Sequence, residues 1–140
     1  MSETSFDLAT LDTIAASDKG ARIELRNPAT NAPLGVFISV YGKDSTIFRS
    51  HVREAQNARI RATQAAQRRG KAPDAVTVEE REAEALDLIV ALTFGFENIE
   101  LDGEKLSFTP ANARKLYTRL PWVMNQVDIA IGDLENFMKP

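Results

Sequence analysis

A chain of 140 residues with 44% hydrophobic and 26% charged side chains suits one globular domain with a modest core. Its net charge of -3 and pI near 5.2 argue against bulk attraction to nucleic acid or anionic membrane. No apolar run reaches bilayer length, since the longest, residues 86–96, is interrupted by Asp87. The absence of cysteine excludes disulfides and thiolate chemistry and fits a reducing cytoplasm.

The opening "MSETSFDLAT" has neither a basic start nor an apolar stretch behind it, so a cleaved signal peptide is not expected. Residues 1–20 are polar, with apolar spots at Phe6, Leu8, Leu11 and Ile14. The spacing 8, 11, 14 allows a short helix or a frayed arm. Residues 21–140 read as a single α+β domain, helix-dominated: an N-terminal β-hairpin followed by about four helices. The hairpin spans 21–41. Ile23 and Leu25 alternate with Arg22, Glu24 and Arg26, and Val36, Ile38 and Val40 resume the alternation after a turn containing Asn27-Pro28 and Pro33.

A long basic helix is expected over 45–69. Asp44 or Ser45 can cap it, and Gly70 can stop it behind Arg68 and Arg69. At a rise of ~1.5 Å per residue it would extend about 38 Å. Its apolar bulk is confined to Ile47, Phe48 and Val52. Beyond them the stripe is alanine alone, at Ala55, Ala58, Ala62 and Ala66. Burial energy scales with apolar area, so this second half contributes little core. It either packs closely on another helix or projects into solvent.

Thr77-Val78-Glu79-Glu80 has the form of a capping box and opens a core helix over 78–94 that becomes apolar on every side near its end. Gly95 is placed to stop it. Asp102-Gly103 marks a turn of a small hairpin or folded loop. Thr109-Pro110 opens the first of a C-terminal helix pair over 110–138, and Pro121 starts the second, whose apolar stripe is Val123, Val127, Ala130, Leu134 and Phe137.

A search for chemistry yields little. His51 is the sole histidine, flanked by Arg49 and Arg53, with no Ser or Cys partner to make a triad. One His and no Cys do not make a structural zinc site. The carboxylates Glu79, Glu80, Glu82 and Glu84 crowd a helix start, where the dipole favours them as a solvated face. The seven glycines are scattered, so no phosphate loop is formed. No catalytic, cofactor-binding or metal-binding residue is assigned. Residues 49–71 carry seven positive side chains against Glu54, a net +6, and residues 72–104 carry ten carboxylates against Arg81, a net -9. The basic stretch could follow a phosphate backbone, but it lacks interleaved aromatics and a base-reading face. Two neighbouring helices of opposite sign are more simply a charge-complementary hairpin or a polar arm for a partner. Trp122, just after Pro121, either locks a corner between helices or stacks on a ligand. Phe137 and Met138 either dock on the core or form a binding tip.

The run "NPATNAPLGVFISVYGKDS", a long Arg/Ala helix, and "ALTFGFENIELDGEKLSFTPANARKLYTRLPWVMNQVDIAIGDLENFMK" together resemble the tail assembly chaperones of long-tailed (siphovirus-type) bacteriophages and prophages. The matching positions are Pro28, Thr30, Pro33, Leu34 and Gly35 in the hairpin. Beyond the long helix they are Asp102, Gly103, Leu106, Phe108, Pro110, Asn112, Ala113, Leu116, Tyr117, Pro121, Trp122, Gln126, Val127, Ile131, Asn136 and Phe137. The resemblance covers residues 21–140. Asn31-Ala32 stands where the family has a glycine turn, and Phe96-Glu97-Asn98 stands where a tryptophan often follows the glycine. These are turn and packing residues, which point to a fold more than to a site.

The resemblance implies a non-catalytic protein in the cytoplasm of the bacterial host, without cofactor. Its partner would be the tape measure protein, coated before the tail tube polymerises around it. Tail tube protein is a further partner, and a homo-oligomer is compatible. Such chaperones leave before the tail is finished, and some occur in a short form and a longer frameshifted form. Covering a long amphipathic helix needs an apolar groove and weak, repeated contacts. The candidate partner-binding residues are Ala55, Ala58, Ala62, Ala66, Trp122, Phe137 and Met138, with intramolecular packing as the alternative for each. The rival readings are a structural tail or connector subunit retained in the particle and a nucleic-acid-binding module using residues 49–71.

Overall fold

The period-two patterning of the hairpin is realised. In the computed structural model, which describes residues 5–139, β1 (Ala21–Arg26) pairs antiparallel with β2 (Pro33–Val40), Ile23 lying opposite Ile38 and Ala21 opposite Val40. Residues 1–4 of the expected arm and residue 140 of the expected domain lie outside the described residues. Leu25, Ile38 and Val40 are buried on one face of the pair. In the connecting turn, the Asn27 side chain accepts from the Ala29 amide at 2.8 Å. Asn31 takes a positive φ of 64°, a conformation asparagine tolerates better than most residues.

A third strand joins them. Helix α3 (Val78–Leu92) ends two residues before the expected 94, and β3 (Thr93–Glu97) runs antiparallel to β2, with Phe96 opposite Ile38 and Gly95 opposite Ser39. Gly95 therefore lies within a strand and does not stop the helix. Thr93, Phe94 and Phe96 suit a pleated, half-buried surface, and β2 offers them an open edge. The sheet order is β1-β2-β3.

Six α-helices occur among the described residues, where about four were expected. The additions are short. α1 (Thr13–Lys19) makes the N-terminal segment helical and not frayed, with Asp12 as its cap. The expected last helix breaks: α4 (Pro110–Arg119) and α5 (Pro121–Gly132) meet at Leu120-Pro121, and Asp133 is extended before α6 (Glu135–Met138). Gly132 is a weak helix former, and the Asp133 carboxylate accepts from the Glu135 amide at 3.1 Å, favouring a restart. That restart turns Phe137 inward.

β4 (Glu100–Leu101) and β5 (Glu104–Lys105) form the small hairpin around Asp102-Gly103, both at positive φ. Arg119 in the last turn of α4 grips both carboxylate oxygens of Asp102, one contact being 2.6 Å. This hydrogen-bonded pairing holds the Asp102 carboxyl below its usual range.

Helices α5 and α6 lie against β1, α5 also touches β2, and α3 and α4 pack on α5. The core between these layers is Ile38, Val40, Leu92, Leu116, Tyr117, Val123, Val127 and their neighbours. Fully burying each such side chain contributes roughly 1.5–3 kcal/mol. Within this core the Thr93 hydroxyl donates to the Ile89 carbonyl at 2.8 Å. The Tyr117 hydroxyl, 2.7 Å away, is left to donate to Thr93.

Candidate functional site

Helix α2 (Thr46–Arg68) begins on the body of the domain and leaves it. Ser45, fully buried, accepts from the Phe48 amide at 3.1 Å as the N-cap. Asp18 at the end of α1 accepts from the Thr46 amide at 2.6 Å and from the Thr46 hydroxyl at 3.0 Å. Its negative charge there also suits the helix dipole. Phe48 and Val52 are half-buried and anchor the first two turns. The remaining turns, out of a length of about 35 Å, are mostly exposed.

α3 returns alongside. Thr77 accepts from the Glu80 amide at 3.1 Å, which is half of the expected capping box. Residues 78–85 are exposed, while Ile89, Val90 and Leu92 enter the core. The two helices therefore lie side by side, anchored in the body at the start of α2 and the end of α3 and joined at their other ends by residues 69–77. Alanine side chains supply too little volume to fill the space between them. An open groove of about 740 Å³ results. One wall is His51, Val52, Ala55, Ala58 and Ala62 from α2, and the other is Ala85 and Leu88 from α3. Arg59 and Glu84 form an ion pair across it. Arg81 and Asp87 stand on the α3 side, and Asp87 is itself engaged by Arg114 of α4 at 2.6 Å.

Three of the four expected alanines thus share the groove. Ala66 does not. The chain turns at Gly70, the Lys71 amide donates to the Ala66 carbonyl at 2.9 Å, and Ala66 is buried. With Ala62, Ala65, Pro73 and Val76 it lines a neighbouring cavity of about 660 Å³ under the α2–α3 connection.

The aromatic candidates are elsewhere. Trp122 is half-buried against the core, and Met138 is half-buried. Phe137 is only 7% exposed and belongs to the core cluster. It is occupied by packing, so the idea of a free terminal tip is corrected for this residue: the break at Asp133 swings its ring inward. None of the three lines the groove.

The charge pattern gives one ion pair between α2 and α3, Arg59 with Glu84, and no zipper of them. Among the described residues, Arg49, Arg53, Arg61, Arg68 and Arg69 have no ion-pair partner. No group of three or more His, Cys, Asp or Glu residues is arranged to hold a metal, and no helix is long and apolar enough to cross a membrane, among the described residues. Sequence inspection passed over Ala85 and Leu88, the far wall of the groove. The i, i+3 spacing of the exposed Ala85 and the half-buried Leu88 on α3 was the available signal. It was hidden because that helix is apolar all round farther on. Comparison with protein-family models, curated proteins and solved structures finds no match for this chain.

Proposed function

We propose that this protein is a tail assembly chaperone of a long-tailed bacteriophage or prophage, acting in the cytoplasm of the bacterial host. It covers apolar helical stretches of the tape measure protein and engages tail tube subunits as they arrive. The observation that carries this reading is the open alanine-walled groove between α2 and α3. Small side chains on its walls let another helix approach closely, and nothing in the described chain fills it. The motif resemblance in the hairpin and in the "PWVMNQV" region supplies the partner class.

A shallow, open groove gives weak individual contacts. Many copies along one extended partner convert them into avidity, and each copy can still leave when the tube advances. Groups aligned for bond-making are not needed for such work, since packing and desolvation perform it.

Co-expression with the tape measure protein of the same phage or prophage tests the proposal. The partner should move from the insoluble to the soluble fraction and co-elute with this chain, and this chain should be missing from purified particles. An unchanged tape measure protein with no co-eluting complex would refute it. Retention in finished particles would mark the chain as a structural tail subunit instead.

A further inference from the structure

The side of α2 turned away from the groove has a different character. At roughly 100° per residue, Arg49, Arg53, Asn57, Ile60, Arg61 and Arg68 fall within an arc of about 120°. All six are exposed and none lines the groove, whose α2 wall is on the opposite side of the helix. No carboxylate stands in that arc. Glu54, the only acidic residue of α2, lines the groove instead. The four arginines have no ion-pair partner among the described residues, so their guanidiniums are free for an incoming anion.

The net charge of -3 conceals this face, because the two signs are segregated. Residues 49–71 are net +6, and the ten carboxylates of residues 72–104 lie beyond α2, on α3 and the segments around it. Two of them are already engaged, Glu84 by Arg59 and Asp87 by Arg114. The acidic side chains of α3 stand behind the arginine face, across the thickness of α2, about 10–12 Å. That is about one Debye length at 0.1 M salt, so their repulsion of an anion on the outer face is largely screened.

We propose that this outer face of α2 lies along double-stranded DNA, its arginines on the phosphates, without regard to sequence. What the face holds decides the partner class. Ile60, 54% exposed, is its sole apolar side chain, and it has no aromatic residue. A protein partner or a membrane surface needs the apolar core that is missing here. Four guanidiniums spread over about 28 Å of helix instead match a repeating array of phosphates. α2 is unbroken and about 10–12 Å thick. The B-form major groove, about 12 Å wide, admits such a helix, whereas the narrow A-form groove of RNA does not. The face is turned away from the α2–α3 groove, so the inference does not rest on the tape measure reading.

The experiment uses the full chain and no tape measure protein, so its failure is distinct from failure of the chaperone reading. Fluorescence anisotropy follows a labelled DNA duplex of mixed sequence, about 20 base pairs long, from about 50 mM salt upward. The wild type should bind it, with a log–log salt slope of about -4 for four phosphate contacts. Arg53→Glu with Arg61→Glu should lose at least about tenfold in affinity and flatten the slope. Lys105→Glu with Lys115→Glu makes the same change in net charge on β5 and α4 and should bind as the wild type does. All four positions are exposed, so thermal unfolding should be unchanged and serves as the folding control. An RNA duplex of the same sequence should bind at least about tenfold more weakly, and polyglutamate should not displace the DNA. No binding by the wild type at low salt, or equal losses in the two charge variants, would overturn the proposal. So would equal affinity for the RNA duplex, or displacement by polyglutamate, which would mark the face as a surface for acidic protein.

Discussion

Gln126 on α5 brackets the backbone of Arg26 on β1. Its side-chain oxygen accepts the Arg26 amide at 2.9 Å, and its side-chain nitrogen donates to the Arg26 carbonyl at 2.8 Å. A primary amide thus acts as the strand partner that β1 lacks on its outer side, next to the register shift between Glu24 and Arg26. Gln126→Ala should cost about 1–2 kcal/mol, read from the urea midpoint. Gln126→Glu should cost at least as much, because a carboxylate cannot donate to the carbonyl. In Gln126→Ala the Arg26 amide should exchange with solvent faster than in the wild type, whereas Gln126→Glu keeps an acceptor for that amide and should leave its exchange slow.

Tyr117 supplies a pH dependence. Burial is the main influence on its hydroxyl and raises its pKa from 10.0 to about 12. The folded state therefore holds this proton where the unfolded chain releases it. The associated stability is complete below pH 10 and is lost as pH rises through about 12. The loss amounts to roughly 2–3 kcal/mol at ~1.4 kcal/mol per unit. Tyr117→Phe should cost about 0.5–1.5 kcal/mol at neutral pH, since Thr93 keeps its bond to Ile89. It should also flatten the alkaline fall in stability. Chemical denaturation across that pH range checks both.

Gly20 sits at φ 86°, and a Cβ there would lie 2.8 Å from the Val40 carbonyl oxygen and 2.6 Å from the Phe94 ring. Gly70 has a similar φ of 71° with open space around it. Gly20→Ala should therefore lower stability by about 2–3 kcal/mol, strain and overlap combined, and Gly70→Ala by only about 1 kcal/mol. Calorimetric Tm values for the pair separate backbone strain from steric overlap.

Phe137→Ala should cost about 3–5 kcal/mol, the range for emptying a core aromatic site. Met138→Ala, at a half-buried neighbour, should cost under about 1 kcal/mol. Equal, small losses would mean that the Phe137 ring is not part of the core.

The legible parts of this fold are those whose signals are local. Ile23, Leu25, Val36, Ile38 and Val40 declare the hairpin by alternation. Ser45, Thr77, Thr109 and Pro121 mark helix starts. Asp102-Gly103 marks the small turn. The missed parts are long-range. The run through Leu92 and Phe94 is apolar on all sides and carries no period, so the switch from α3 to β3 is decided by the free edge of β2. The break at Asp133 depends on where the Phe137 ring finds room. The site divides in the same way. The alanine stripe was visible on one helix, but whether Ala55, Ala58 and Ala62 would meet a tight neighbour or an open space depended on which side chains α3 presents to them. That depends on the facing helix as well and cannot be read from the stripe.

The central claim is that the α2–α3 groove takes an apolar helix of the tape measure protein. Calorimetric titration of the wild type and of the Ala58→Glu, Ala62→Glu variant with a helical segment of that protein tests it most directly. The wild type should bind with a negative heat-capacity change, the mark of apolar burial, and the variant should bind at least about tenfold more weakly while unfolding at the same temperature. Equal affinity for both proteins, or no binding to the wild type, would contradict it.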